Sequence, residues 1–257
     1  MDTPSQARKR VATFDPEHRS RVVIRGLLER LGFEVDEHKT DRRLENRLTG
    51  EQRADLVFLH LRVLGADWPA ILARLEGLRL KRPGLPPVLA VSSLPLQADA
   101  ADKLRALGCS EVLSREAHLL EVMFAFNRLL FPKIRELRRY TRVFGGFAIH
   151  FRAVASPAGP WREGLVYNLS REGAFIQCEG APVEGARLQV RFVLPGDEAP
   201  MEAEAVVSWV NPPSREADPL SPPGLGVNFL TLTEAHTENI ARFLDAHGDE
   251  PAEASEG

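Results

Sequence analysis

The sequence lacks the features that mark membrane, metal-binding and disulfide-rich proteins. No apolar run reaches the roughly 18 residues that a transmembrane helix needs, and no apolar signal core follows the basic stretch 1–10. The only cysteines are Cys109 and Cys178, one in each half, and no Cys/His cluster has zinc spacing. These absences predict a cytoplasmic protein with no membrane span, no metal and no disulfide framework.

Sequence patterns of common enzymes and of DNA-binding proteins are also missing. There is no nucleophile–base pair, no phosphate loop of the G-x-x-x-x-G-K type and no helix-turn-helix with a basic recognition helix. The formal net charge of −3 provides no chain-wide field that would attract nucleic acid. We therefore expect neither an enzyme nor a DNA-binding protein, and any anion site must be local.

The length of 257 residues favours two domains, and the first, over residues 8–131, alternates short apolar segments with helical periodicity. This alternation predicts a doubly wound α/β fold, a parallel sheet with helices on both faces and functional residues at the carboxyl ends of the strands. The strands are predicted at 8–14, 33–35, 55–61, 87–92 and 111–113.

Four stretches of this half, 14–17, 55–62, 87–93 and 108–115, together resemble a response-regulator receiver domain, which has a flavodoxin-like fold. The family takes phosphate on an aspartate after the third strand, and His60 falls at that position.

Only Asp15 remains near the family's acidic pair, whereas Ser92 and Arg115 fit its hydroxyl and basic positions. One carboxylate and an imidazole make a poor magnesium site. The resemblance therefore predicts a pseudo-receiver without a phosphoacceptor, serving as a docking surface or as the contact of a homo-oligomer.

A basic linker is predicted over 132–143, where five basic residues stand against the single acid Glu136. As a helix, it would place Arg138 and Arg142 on one solvated face. As an extended segment, it could wrap a ligand, since guanidinium groups bind phosphate oxygens and the O6/N7 edge of guanine. Both interpretations remain open at this stage.

Residues 144–247 carry many short alternating strands, including one over 147–154 and one over 187–194. In the second of these, Leu188, Val190, Phe192 and Leu194 fall on one face. The pattern predicts a small antiparallel six-stranded barrel with a C-terminal helix over 234–244, capped by Thr233. Trp209, Val227 and Phe229 are expected in its core. The last residues, 248–257, are acidic and are predicted to be a disordered tail.

Two motifs carry a second resemblance. Arg138-x-x-x-Arg142 and Asn168-x-Ser170-x-x-Gly173, followed by 207–209 and 224–229, resemble a PilZ domain over 136–246. That family forms a six-stranded barrel with a trailing helix and binds cyclic di-GMP through these two motifs.

The resemblance implies a role for each motif residue. Arg138 and Arg142 would neutralise phosphate and contact guanine, while Asn168 and Ser170, two apart in a strand, would meet the donor edge of guanine. Gly173 would permit the positive φ that a tight turn often needs and would let backbone approach the ligand. Two further arginines are auxiliary candidates, Arg139 and Arg171.

These observations predict a signalling effector that binds cyclic di-GMP and converts binding into a domain rearrangement read by an unidentified partner protein. The alternative is a ligand-free interaction scaffold in which both domains are degenerate. A phosphorylation-gated regulator is a third hypothesis, which His60 weakens.

Overall fold

The structure is a computed structural model that describes residues 9–50, 53–81, 84–92, 98–114, 119–131, 140–213 and 221–247. The chain divides into two compact units between residues 132 and 133. The predicted tail 248–257 lies outside the described residues, as do Arg138 and Arg139 of the predicted linker and the basic position Arg115.

The first unit is a five-stranded parallel sheet in the order β2-β1-β3-β4-β5. This is the doubly wound order of flavodoxin-like folds, as predicted. Its strands are β1 Arg10–Phe14, β2 Glu34–His38, β3 Leu56–His60, β4 Val88–Ser92 and β5 Glu111–Ser114. Its α-helices are α1 His18–Arg30, α2 Leu44–Thr49, α3 Trp68–Lys81, α4 Ala98–Ala106 and α5 Leu119–Leu130, and 3-10 turns cover Asp41–Arg43 and Leu61–Asp67.

The burial of each strand explains how clearly its sequence pattern predicted it. Every residue of β3 and β4 is buried, because both strands are central and covered on both faces, so each reads as a continuous apolar run. The edge strand β2 is longer than predicted and largely polar. Its carboxylates pair with neighbouring arginines: Arg10 lies 3.2 Å from Glu34, and Arg47 lies 2.5 Å from Asp36.

The second unit is a closed six-stranded barrel in the order β10-β11-β8-β7-β6-β9, and every strand pair is antiparallel. This confirms the predicted fold. The strands are β6 Val143–Ala153, β7 Arg162–Leu169, β8 Gly173–Gln177, β9 Arg187–Phe192, β10 Met201–Asn211 and β11 Gly224–Phe229. The helix α6 covers Glu234–His247, three residues longer than predicted.

The barrel core contains the alternating positions of β9 and of the residues just after it, as the sequence predicted. These buried side chains are Leu188, Val190, Phe192 and Leu194. Helix α6 adds Ile240, Phe243 and Leu244 to the same core. Thr233 Oγ1 accepts a hydrogen bond from the backbone N–H of His236 at 3.2 Å, which confirms the predicted cap.

One predicted core residue lies elsewhere. Val227 is buried in the core and Phe229 packs against it. Trp209 is instead half-buried and stacks on Phe175, with 4.9 Å between the ring centroids. A Cβ on Gly226 would come 2.0 Å from the Trp209 indole nitrogen, so only glycine lets the indole lie across β11.

Two irregularities bend the barrel where β6 begins and β7 ends. The β6–β7 register shifts between Phe144 and Phe147, and the β7–β8 register shifts between Val166 and Asn168. The strand predicted to begin at Phe147 therefore begins at Val143, because a Gly-Gly bulge interrupts its alternation.

Candidate ligand-binding site

Arg142 and Ser170 flank the last residue pair of the β6–β7 ladder at one end of the barrel. The β6–β7 ladder ends with Val143 paired to Leu169, so the residue before Val143 faces the residue after Leu169. Val143 and Leu169 point into the core, and alternation directs the side chains next to them outward. The register thus brings the arginine of one motif next to the serine of the other.

The turn after Ser170 is held by its own hydrogen bonds. The backbone N–H and the hydroxyl of Ser170 both donate to the carbonyl oxygen of Gly173, at 2.8 and 3.1 Å. The hydroxyl hydrogen is therefore engaged, and the oxygen keeps its lone pairs to accept from a ligand. Arg171 and Glu172 are exposed at the tip of the turn.

Gly173 is required for strand packing rather than for the predicted turn conformation. Its φ is not positive, so the expectation of a left-handed turn residue is wrong. Gly173 pairs with Asn228 of β11, and a Cβ there would lie 2.1 Å from the carbonyl oxygen of Val227. Close approach of two strands, rather than backbone conformation, excludes a side chain at this position.

Asn168 is a buried amide with an unpaired oxygen. The residue is 7% exposed, and its Oδ1 has no hydrogen-bond partner in the part of the chain that the structure describes. Ser170, also 7% exposed, is the next outward-facing residue of the same segment. An unpaired buried carbonyl is costly and rare in folded proteins, so this oxygen is suited to an external donor.

Aromatic rings line the outer face of the barrel beside these residues. Tyr167 contacts Phe144 and Phe175 edge to face, with centroids 6.1 and 5.9 Å apart, and Phe175 in turn stacks on Trp209. Sequence reasoning missed Tyr167 because it lies in the bulge between Val166 and Asn168, where simple alternation fails.

Of the four arginines of the predicted site, the structure describes two, Arg142 and Arg171. Arg142 is half-buried, and Arg171 is exposed. The structure thus brings Arg142, Asn168, Ser170 and Gly173 to one end of the barrel.

In the first unit, the predicted degenerate phosphorylation site lies at the carboxyl edge of the sheet. Asp15 follows β1, while His60 and Ser92 end β3 and β4, and all three are buried. His60 Nδ1 accepts the backbone N–H of Arg62 at 3.3 Å. The Arg62 guanidinium forms an ion pair with Glu17 at 2.7 Å, which joins the segments after β1 and β3.

The described residues contain no metal-binding cluster and no membrane-spanning helix. No group of three or more His, Cys, Asp or Glu side chains among them could hold a metal ion. Within the same ranges, no helix combines the length and apolar character that crossing a membrane would require.

Comparison with known families decides the nature of the second unit. Residues 136–246 match the PilZ domain. They are a PilZ domain. Members of this family bind cyclic di-GMP, so the chain carries a domain of a cyclic di-GMP effector family. No curated protein matches the chain.

Similar solved structures cover the first unit and include several receiver domains. One, from a DNA-binding response regulator of Colwellia psychrerythraea 34H, is 17% identical, covers 48% of this chain and 98% of its own, and has a TM-score of 0.40. A CheY-like receiver domain protein of Methanospirillum hungatei JF-1 is 14% identical, with 51% and 99% covered and a TM-score of 0.42. A response regulator of Thermotoga maritima is 19% identical, with 48% and 98% covered and a TM-score of 0.40. PilZ domains are generally non-catalytic.

Proposed function

We propose that the PilZ domain binds cyclic di-GMP at the barrel end where Arg142 meets Ser170. The binding residues are Arg138, Arg142, Asn168, Ser170 and Gly173, with Arg139 and Arg171 as auxiliary contacts. The observation that carries the proposal is the buried, unpaired Oδ1 of Asn168 beside the accepting hydroxyl of Ser170. An N–H donor of a ligand would pair this oxygen.

The chemistry of the site matches the ligand. Guanine presents N–H donors on one edge and the O6/N7 acceptors on another. Asn168 and Ser170 supply acceptor oxygens for the first edge, and an arginine fork suits either the second edge or a phosphate. Gly173 lets the turn lie flat against β11, so no side chain at that position obstructs the site.

Access to the site links binding to conformation. Asn168 and Ser170 are each 7% exposed, so a ligand reaches them only when the surrounding chain opens. A ligand that pairs Asn168 binds the open form better, and this difference in affinity is what shifts the equilibrium. In our proposal, the shift changes the placement of the two units, and an unidentified partner protein reads the change.

The pseudo-receiver is proposed as the docking or dimerisation surface of this effector. His60 stands where a phosphoacceptor would be, and an exposed ion pair between Arg62 and Glu17 joins the segments after β1 and β3 beside it. We therefore assign the input signal to the PilZ domain rather than to phosphorylation.

Isothermal titration of the full chain with cyclic di-GMP tests the proposal. Arg142→Ala should weaken binding by about tenfold or more, since it removes a charge-assisted hydrogen bond. Binding should also weaken as salt increases, because arginine–phosphate attraction is screened. Arg191→Ala, on the outer face of β9, is the matched control and should bind as the unmodified chain does.

Two results would contradict the proposal. Undiminished affinity of Arg142→Ala would remove the arginine from the site. Absence of any binding or thermal shift with the unmodified chain would instead favour the ligand-free scaffold.

A further inference from the structure

Two arginines share one tryptophan ring on the outer face of the barrel. The guanidinium carbons of Arg152 and Arg191 lie 4.4 and 4.5 Å from the ring centroid of Trp161. All three residues are half-buried. Arg152 Nε also donates to Gln189 Oε1 at 2.8 Å, which fixes the plane of its guanidinium. These residues, Arg152, Trp161 and Arg191, are called the arginine–tryptophan cluster below.

Strand register explains why the two arginines meet. Arg152 of β6 pairs with Gln189 of β9, and Arg191 of β9 pairs with His150 of β6. The arginines are therefore diagonal neighbours on adjacent strands, on the face opposite the core residues Phe151 and Val190. Like charges at such positions repel, so the arrangement opposes stability unless something offsets the charge. The electron-rich face of Trp161 offsets part of it.

No carboxylate neutralises the cluster among the residues that the structure describes. Glu202 stands directly opposite Arg191 in the β9–β10 ladder, yet the two form no ion pair within 4.0 Å. Glu163 of β7 is also nearby in register, opposite His150, and is exposed without an ion pair.

Arg187, on the same face of β9, pairs with a carboxylate, as surface arginines commonly do. Its guanidinium lies 2.6 Å from Glu204 Oε2. The guanidinium groups of Arg152 and Arg191 instead lie over the Trp161 ring and keep most of their N–H donors available.

The cluster is separate from the proposed cyclic di-GMP site. Trp161 immediately precedes β7, whereas Asn168 is near the end of that strand. Arg152 is near the end of β6, whereas Arg142 precedes its start. The two sites lie at opposite ends of the same two strands, roughly 23–33 Å apart along them at about 3.3 Å per residue.

We propose that the arginine–tryptophan cluster is a second binding site, which takes an acidic, carboxylate-bearing peptide segment of a partner protein. Arginine forks bind carboxylates in bidentate fashion, and Trp161 holds the forks in place before a partner arrives. The flanking Glu163 and Glu202 repel closely spaced negative charges. The site therefore suits a peptide whose carboxylates are spaced apart better than a continuous row of phosphates. Together with the net charge of −3, these glutamates disfavour nucleic acid.

The test measures binding of a fluorescein-labelled peptide of alternating Glu and Gly to the full chain by fluorescence anisotropy, without cyclic di-GMP. Arg191→Ala and Arg152→Ala should each weaken binding by about tenfold. Two matched variants should leave it unchanged: Arg187→Ala, which loses a neutralised arginine of the same strand, and Arg142→Ala, which alters only the proposed dinucleotide site.

Arg191→Gln controls for misfolding as a cause of lost binding, because it removes the charge but keeps a long polar side chain. It should lose peptide affinity yet retain the unmodified melting temperature and cyclic di-GMP affinity. Equal peptide affinity of the unmodified chain and both alanine variants would overturn the proposal. So would tighter, Arg191-dependent binding of a fluorescein-labelled oligothymidylate, which would make the surface a nucleic-acid site. Neither result depends on whether the PilZ domain binds its dinucleotide.

Discussion

Arg142 and Ser170 each stand one residue beyond Val143 and Leu169, the last pair of the β6–β7 ladder. The two motifs that are separate in the sequence therefore meet through strand register. Asn168 precedes Ser170 on the same outward face and presents an unpaired carbonyl oxygen. This arrangement makes the roles of the individual side chains separable by mutation.

Asn168→Ala should weaken cyclic di-GMP binding by about tenfold and change the stability of the free protein little. The side-chain oxygen has no internal hydrogen bond to lose, whereas a ligand donor would lose its acceptor. Titration calorimetry measures the first effect, and urea unfolding measures the second. A large loss of stability with unchanged affinity would show that the amide serves only the fold.

Gly173→Ala should destabilise the barrel by about 1–3 kcal/mol, as overpacking does. The new Cβ would lie 2.1 Å from the Val227 carbonyl oxygen, so β8 and β11 must separate. Thermal unfolding followed by circular dichroism measures the loss. Gly26→Ala in α1 is the control, because its Cβ would meet nothing within 4 Å. That variant should be neutral or more stable by about 0.5–1 kcal/mol. Equal melting temperatures of the Gly173→Ala variant and the unmodified chain would contradict the packing argument.

The sequence predicted what local pattern determines. The continuous apolar runs of β3 and β4 and the alternation of β9 follow directly from which faces are buried. The bulges could not be predicted, because the extra residue at Tyr167 exists only relative to the partner strand β8.

Prediction of the candidate site has the same limit. The residue types and spacing of Asn168, Ser170 and Gly173 were apparent in the sequence. The burial of Asn168 on an outer barrel face was not, since it depends on tertiary packing. Gly173 was recognised as a necessary glycine, but the positive φ expected of it was wrong, and the approach of β11 was missed because it is a long-range contact.

The half-buried Cys178 should react slowly with iodoacetamide. Burial raises the pKa of its thiol, although nearby Arg162 opposes the shift. Less thiolate is therefore present near pH 8.5 than in an unfolded chain. The Cys178 thiol has a higher pKa in the folded than in the unfolded chain. The stability that its protonated form contributes is therefore complete below the unfolded pKa. It is lost as pH rises through the folded pKa.

Two measurements check the Cys178 prediction. Mass spectrometry of the native and the urea-unfolded chain gives the alkylation rates. The free energy of unfolding should fall more steeply with pH above about pH 9 in the unmodified chain than in Cys178→Ala. Equal alkylation rates in the native and unfolded chains would contradict the prediction.

The first unit should take no phosphoryl group from acetyl phosphate. The position that would hold an aspartate is His60, which is buried and whose Nδ1 already accepts the backbone N–H of Arg62. Of the two described acids that follow β1, Asp15 is buried, whereas Glu17 is half-buried and forms an ion pair with the Arg62 guanidinium. A magnesium ion would therefore find one carboxylate where it prefers several oxygen ligands, and a phosphoryl group would find no aspartate at the phosphoacceptor position.

Intact-mass spectrometry after incubation with acetyl phosphate and magnesium checks this expectation, with a receiver domain that retains its aspartate as the positive control. Arg62→Ala removes the exposed ion pair beside His60 but leaves His60 itself, so this variant too should remain unmodified. Phosphoryl addition to either protein would restore the phosphorylation-gated hypothesis, because it would show that a residue at this edge still accepts the group.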